Sequence, residues 1–119
     1  MNAMSKIRIH DMSAYRDILH IAARSAGGWT LESAGRAEAV FRSDDGRSAV
    51  VLRTAGRRNG TLPADAFLAA PSGTKRPLLL DAKSVLPANA PGLWPRDALR
   101  CCADAALAEA RSLLEGGAA

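Results

Sequence analysis

Residues 42–60 read RSDDGRSAVVLRTAGRRNG, a stretch with an apolar centre and arginines at both ends. Asp45 and Gly46 separate two runs rich in apolar and β-branched residues, 37–43 and 48–54. Aspartate and glycine both accept the positive φ that a tight hairpin turn needs, so this pattern predicts two antiparallel strands. The second run has three apolar residues in succession, which is typical of a strand at the centre of a sheet.

A helix and a further strand are predicted before this hairpin. Asp11 or Ser13 can cap the helix, because either side-chain oxygen can accept an amide hydrogen of the first turn. Gly27 and Gly28 end it, since glycine tolerates the left-handed exit. Residues 29–33 then alternate between apolar and polar, as a half-buried strand does, and complete a three-stranded antiparallel meander. Apolar residues recur through this segment at the spacing of a helix, namely Met12, Tyr15, Ile18, Leu19, Ala22 and Ala26.

After the hairpin, the sequence predicts a short helix, a fourth strand and a long helix. Residues 62–70 are interpreted as the short helix, with Pro63 in its first turn. The segment 71–77, PSGTKRP, ends it, and residues 78–81 are interpreted as the fourth strand. A coil with several prolines leads to the long helix over residues 95–115, which has an apolar stripe. The stripe consists of Leu99, Cys102, Ala103, Ala106, Ala110, Leu113 and Leu114.

This order of elements predicts one α+β domain over residues 1–119. It has an N-terminal helix, a three-stranded antiparallel meander, a short helix, a fourth strand and a long C-terminal helix packed on one sheet face. A chain of 119 residues buries enough surface to fold without disulfides or metal. The chain has two Trp, two Phe and one Tyr, so its core must consist mainly of aliphatic residues.

Composition narrows the class of protein. Sixteen basic against twelve acidic residues give a net charge of +4, which favours acidic partners. Cys101 and Cys102 are adjacent and form no disulfide framework, and the chain has neither a long apolar run nor a signal peptide. We therefore expect a cytoplasmic protein that does not enter a membrane, and the Ala- and Arg-rich composition suggests a bacterial origin. No motif predicts a metal, a cofactor or a catalytic site.

The surplus positive charge is concentrated around the hairpin. Residues 42–60 have five arginines against two aspartates, a surplus of three, and the loop at 71–77 adds two more cations. Guanidinium groups bind phosphates and carboxylates through paired donors. An alternative interpretation is that these charges only keep turns and a sheet edge soluble. The candidate anion-binding residues are Arg42, Arg47, Arg53, Arg57, Arg58, Lys75 and Arg76.

The sequence favours a small, non-enzymatic, basic binding protein that engages an anionic macromolecule, either nucleic acid or an acidic protein. The alternative is a protein-interaction module such as an adaptor, a chaperone-like protein or an inhibitor, of bacterial or mobile-element origin. That module would use an open sheet face and Trp94 as an interface residue, and a homodimer is left open. A third hypothesis is an enzyme with a site around Asp17, His20 and residues 72–76.

Overall fold

The computed structural model describes residues 11–54, 63–78 and 95–116. Within these ranges the chain forms a five-stranded antiparallel sheet and two α-helices, which confirms the α+β class. A 3-10 turn, Met12–Tyr15, precedes the first helix. The elements are α1 (Arg16–Ala26), β1 (Trp29–Ala34), β2 (Glu38–Ser43), β3 (Ala49–Thr54), β4 (Pro63–Ala69), β5 (Lys75–Leu78) and α2 (Pro95–Glu115).

The first helical segment begins and ends at the residues that the sequence indicates. Asp11 caps it, because its Oδ1 atom accepts hydrogen bonds from the backbone N–H of Ser13 at 3.0 Å and from the Ser13 hydroxyl at 2.5 Å. Met12 is fully buried. At the other end Gly27 adopts a φ of 74° and donates its N–H to the Ala23 carbonyl at 3.2 Å. Glycine adopts this conformation without a Cβ clash.

The meander forms as predicted, with β3 inside the sheet. Strand β3 pairs with β2 on one side and with β4 on the other. In the turn between β2 and β3, Gly46 has a φ of 73° and donates its N–H to the Ser43 carbonyl at 2.8 Å. The Ser43 N–H donates to the Ser48 carbonyl at 2.9 Å and closes the hairpin. The strands follow one another in the order β1-β2-β3-β4-β5.

The predicted short helix at 62–70 is wrong, because this segment is strand β4. Its side chains alternate, with Ala66 and Leu68 buried and Phe67 half-buried between them. A central strand such as β3 needs hydrogen-bonding partners on both sides, and β4 provides the second partner. A short helix would also tolerate the nine residues of the segment 62–70. Pairing with β3 therefore determines that a strand forms there.

The last strand also differs from the prediction. Strand β5 is Lys75–Leu78, whereas the sequence predicts a strand at 78–81, of which residues 79–81 lie outside the described residues. In the sequence, Pro77 predicts an interruption of secondary structure, yet in the structure it lies inside β5. A proline is tolerated there because β5 is the last of the described strands in the sheet order, and its outer side forms no ladder with another described strand.

Helix α2 has the predicted bounds and packs beside α1 on one face of the sheet. The two helices run in the same direction. The Arg96 guanidinium pairs with Asp17 near the start of both, and Arg111 Nη1 donates to the Ala26 carbonyl at 3.1 Å near their ends. Most of the predicted stripe is buried, together with Leu107, which the stripe omits, whereas Leu114 remains 39% exposed.

Strand residues therefore divide into two sets. The core face points toward the helices and consists of Trp29, Leu31, Ala34, Ala39, Phe41, Val50, Leu52, Ala66, Leu68 and Leu78. The alternating residues form what we call the open face, because none of them joins that core cluster, although Ala49 and Val51 are buried. The open face consists of Thr30, Glu32, Ser33, Glu38, Val40, Arg42, Ala49, Val51, Arg53, Phe67, Ala69, Lys75 and Pro77.

Candidate functional site

An apolar row crosses the middle of the open face. Val40 is the register partner of Val51, Val51 of Phe67, and Phe67 of Pro77. Directly opposed residues on neighbouring strands bring their side chains into contact distance. The four side chains therefore form a continuous strip from β2 to β5, with the only aromatic ring of the open face near its β5 end.

Two cations lie against that ring, and we call Arg53, Phe67 and Lys75 the face cluster. The Arg53 guanidinium carbon is 5.1 Å from the Phe67 ring centroid, and the Lys75 ammonium nitrogen is 5.2 Å from it. The register explains this arrangement. Arg53 pairs with the residue two positions before Phe67, and Lys75 pairs with the residue two positions after it. The three side chains and Pro77 line a shallow depression of about 260 Å³.

Arg42, a third cation of the open face, is neutralised. Its Nε and Nη2 atoms donate to the two carboxylate oxygens of Glu32, both at 3.0 Å. This two-pronged contact, more than Coulomb attraction, lowers the pKa of Glu32 and raises that of Arg42. The candidate residue Arg42 thus bridges β1 and β2 and adds no net charge to the surface.

Two further candidates, Arg47 and Arg76, lie on the other side of the sheet. Both line a cavity of about 660 Å³, which we call the groove. It lies between the β4–β5 turn, which contributes Thr74, and the end of α2, which contributes Leu113 and Leu114. Arg76 is the register partner of Leu68, so it projects toward the core face and is half-buried. Among the described residues that line the groove, none is acidic.

The arginines that are close in sequence therefore do not form one surface. Neighbouring strand residues point to opposite faces, and Lys75 and Arg76 illustrate this, one in the face cluster and the other in the groove. Arg57, Arg58 and Trp94 lie outside the described residues. The structure thus brings the described candidates together in two pairs, with Arg42 tied to a glutamate.

The residues of the enzyme hypothesis are far apart. Asp17 pairs with Arg96 at the start of α2, and this hydrogen bond lowers the pKa of the Asp17 carboxyl. The loop at 72–76 contacts the groove together with Leu113, seventeen residues further along α2. At about 1.5 Å per helical residue, the two places are about 25 Å apart. His20 is exposed on α1, so Asp17, His20 and the loop do not form one catalytic site.

The described ranges contain neither a candidate metal site nor a membrane-spanning helix. No three His, Cys, Asp or Glu side chains of residues 11–54, 63–78 and 95–116 are grouped so that they could hold a metal ion. The helices in the same ranges are too short or too polar to cross a membrane. Cys101 and Cys102 are free thiols, half-buried and buried respectively.

Sequence reasoning missed Phe67 as a functional candidate, because residues 62–70 are interpreted from the sequence as a short helix and not as a strand with two faces. The period-two alternation of Ala66, Phe67 and Leu68, with a β-favouring aromatic at its centre, is the signal that points to a strand. The groove has no signal in the sequence, since its lining residues come from three separate segments. Comparisons of the chain with protein-family models, with curated proteins and with solved structures find no match, so its function is inferred from the geometry of these two surfaces.

Proposed function

We propose that this protein binds single-stranded nucleic acid, without catalysis, on the β3–β5 side of its open face. The observation that supports this proposal most directly is the face cluster. Two cations within about 5.2 Å of one phenylalanine ring lie on a sheet face whose residues do not join the helical core. Nucleic acid offers the two complementary features, namely phosphates for cations and flat bases for stacking.

The distribution of charge over the strands favours the same side. On the open face, strands β3 to β5 have two cations, Arg53 and Lys75, and their sequence contains one aspartate, whereas β1 and β2 have one arginine against two glutamates. A polyanion is therefore attracted toward β4 and β5 and away from β1. Because the cations contact phosphates, we expect binding that depends strongly on salt and weakly on base sequence.

The members of the face cluster have different roles in this proposal. Lys75 is exposed, and its ammonium group is a point charge suited to one phosphate. The Arg53 guanidinium lies over Phe67, and its planar outer surface offers a base a stacking partner. Pro77, which is exposed, adjoins Phe67 in the apolar row and extends the surface on which a second base can lie.

Fluorescence anisotropy with a labelled oligonucleotide tests this proposal. The wild type should bind at low ionic strength, and the logarithm of its affinity should fall linearly with the logarithm of salt concentration. The double variant Arg53→Gln with Lys75→Gln should reduce the magnitude of that slope by about 0.7, since Lys75 makes the one phosphate contact of the pair and each single-strand phosphate contact contributes about 0.7.

The matched control is the double variant Arg16→Gln with Arg24→Gln. Both arginines are exposed on α1, and their loss changes the net charge by the same amount. An equal effect of the two double variants would mean that overall charge, and not the face cluster, determines binding. Absence of binding at low salt would refute the proposed function.

A second candidate is a protein-interaction module, which the apolar row favours. Val40, Val51, Phe67 and Pro77 form a strip that a second sheet or another protein would cover. Light scattering separates the candidates. A dimer that dissociates when Val40 is replaced by Glu, and that ignores oligonucleotides, would support the interaction module in place of the nucleic-acid binder.

A further inference from the structure

We propose that the groove is a binding site for a small amphiphilic anion, that is, a carboxylate or phosphate head on an apolar tail. This site is separate from the face cluster, because its cations, Arg47 and Arg76, are not part of that cluster. Its volume of about 660 Å³ lies within the range of pockets that hold small molecules.

The apolar part of the groove would hold the tail. Leu68 forms a buried part of the lining with 1% exposure, whereas Leu114 is 39% exposed. Ile21 and Leu114 are the two large hydrophobic side chains that remain exposed in the described ranges, and Leu114 is the one that lines a cavity. A tail laid against Leu113 and Leu114 removes this apolar surface from water, which favours binding.

The polar part of the groove would hold the head. Arg76 is half-buried and has no carboxylate of the described ranges within ion-pairing distance, whereas Arg47 is exposed and has Asp45 as an anionic neighbour outside ion-pairing distance. A half-buried guanidinium without an anionic partner has lost part of its hydration without compensation. The Thr74 hydroxyl accepts a hydrogen bond from the Ser72 hydroxyl at 3.0 Å, which leaves the Thr74 proton to donate to a ligand oxygen.

The end of α2 orients the ligand. Leu113 and Leu114 belong to its last turn, where the backbone carbonyls give the helix terminus a partial negative charge. The N–H of Gly116 satisfies the Ser112 carbonyl at 2.8 Å, but the terminus still repels an anion. The head is therefore expected beside Arg47, Arg76 and Thr74, and the tail beside the leucines.

Isothermal titration calorimetry with decanoate and decyl phosphate tests this inference. We expect saturable one-to-one binding of at least one of them, and the tighter one identifies the head group. Butyrate should bind more weakly than decanoate by at least a hundredfold, since each buried methylene contributes roughly fourfold. Inorganic phosphate should show no measurable binding at the same concentrations. Decyltrimethylammonium, which has the same tail and the opposite charge, should not bind.

Two variants locate the site. Arg47→Gln combined with Arg76→Gln, and separately Leu114→Ser, should each weaken decanoate binding at least tenfold, while the far-UV circular dichroism spectrum stays that of the wild type. Arg53→Gln combined with Lys75→Gln is the control, because it removes the same charge from the open face and should leave decanoate affinity unchanged. Wild-type affinity in the folded groove variants, or equal binding of the cationic amphiphile, would overturn the proposal.

Discussion

Phe41 and Phe67 are the two phenylalanines of the chain, and the register of the sheet places them on opposite faces. Phe41 pairs with Val50, on the core face, and is fully buried. Phe67 pairs with Val51 on the open face and is half-buried between two cations. The same side chain therefore stabilises the core in one place and forms a candidate binding surface in the other.

Alanine substitutions should separate these two roles. Phe41→Ala is expected to lower the free energy of unfolding by about 3–5 kcal/mol, because it leaves a cavity in a packed core. Phe67→Ala should cost about 1 kcal/mol, since its ring is half-exposed and its cation contacts are weak. Urea denaturation monitored by circular dichroism measures both changes. Similar losses in the two variants would contradict the assignment of the faces.

The two cysteines should be slow to react in the folded protein. Burial, followed by the neighbouring Cys101, raises the pKa of Cys102 to about 12. Burial, followed by the Asp104 carboxylate, also raises the pKa of Cys101. Because the thiolate is the reactive form, labelling with a thiol reagent at pH 8 should be slow and should become fast in urea.

Single-cysteine variants check the order of reaction. With Cys102→Ser, the remaining half-buried Cys101 should react faster than Cys102 does in the Cys101→Ser variant. Rapid modification of Cys102 in the native protein would contradict the packing of this face of α2.

Among the secondary-structure elements, the sequence correctly predicts those whose ends are marked by a capping residue or a turn glycine. Asp11 and Gly27 bound the first helical segment, and Gly46 bounds the hairpin, by local hydrogen bonds and backbone conformation. Strand β4 has only the short alternation at residues 66–68 as a local signal, and its state depends on pairing with β3, which is separated from it in the sequence by residues 55–62. Local propensity cannot reveal a long-range hydrogen-bonding requirement, and the helix predicted at 62–70 shows that limit.

The β2–β3 turn depends on the conformation of one glycine. Gly46 has a φ of 73°, and a Cβ built there meets no atom within 4 Å, so any cost of Gly46→Ala comes from the backbone alone. We expect a loss of about 1–2 kcal/mol in the free energy of unfolding, with a smaller loss for Gly46→Asn, because asparagine tolerates this region. Thermal and urea denaturation measure both.

Gly35→Ala is the matched control. Gly35 has no positive φ, and its built Cβ would make only an ordinary contact of 3.7 Å with the Glu38 carbonyl oxygen. The substitution should be neutral or slightly stabilising, because alanine reduces the freedom of the unfolded chain. Equal losses at both glycines would mean that φ is not the cause.

Across the whole molecule, the sequence predicts which charges exist but not how they are grouped. The surplus of arginine around residues 42–60 is evident, yet folding places Arg47 and Arg53 on different surfaces and pairs Arg42 with Glu32. Arg47 lies in the β2–β3 turn, outside the strand alternation that positions Arg53, and the salt bridge requires knowledge of which strand lies beside β2. The groove could not be predicted from the sequence either, because it forms only where the β2–β3 turn, the β4–β5 turn and the end of α2 meet.

Several exposed carboxylates make stability depend on pH in a definite direction. Hydrogen bonds from Ser13, Arg96, Arg42 and Ser43 lower the pKa values of Asp11, Asp17, Glu32 and Asp45 respectively. A group whose pKa is lower in the folded state contributes stability above its ordinary pKa, and this contribution is lost as the pH falls toward the folded value. The ordinary values are 3.8 for aspartate and 4.5 for glutamate.

The melting temperature should therefore stay nearly constant from pH 7 to about 5 and should fall progressively below pH 4.5. Thermal melts monitored by circular dichroism measure this profile. Asp17→Asn and Glu32→Gln should each flatten part of the decline, because each removes one group that titrates. A melting temperature that rises on acidification would contradict the ion pairs and caps described above.

Pro77 limits how the sheet can grow. The Ala70 N–H donates to the Thr74 carbonyl at 2.9 Å, and the alternation of an antiparallel ladder then directs the backbone of Lys75 and Pro77 away from β4. Proline has no hydrogen on that nitrogen, and the preceding outward residue bears a charged side chain. An incoming strand would find a missing donor and a lysine that repels its counterpart, so two copies of this protein are not expected to join their sheets through β5. An assembly that uses this edge is expected to form through side chains, which are easier to change by mutation than a backbone ladder.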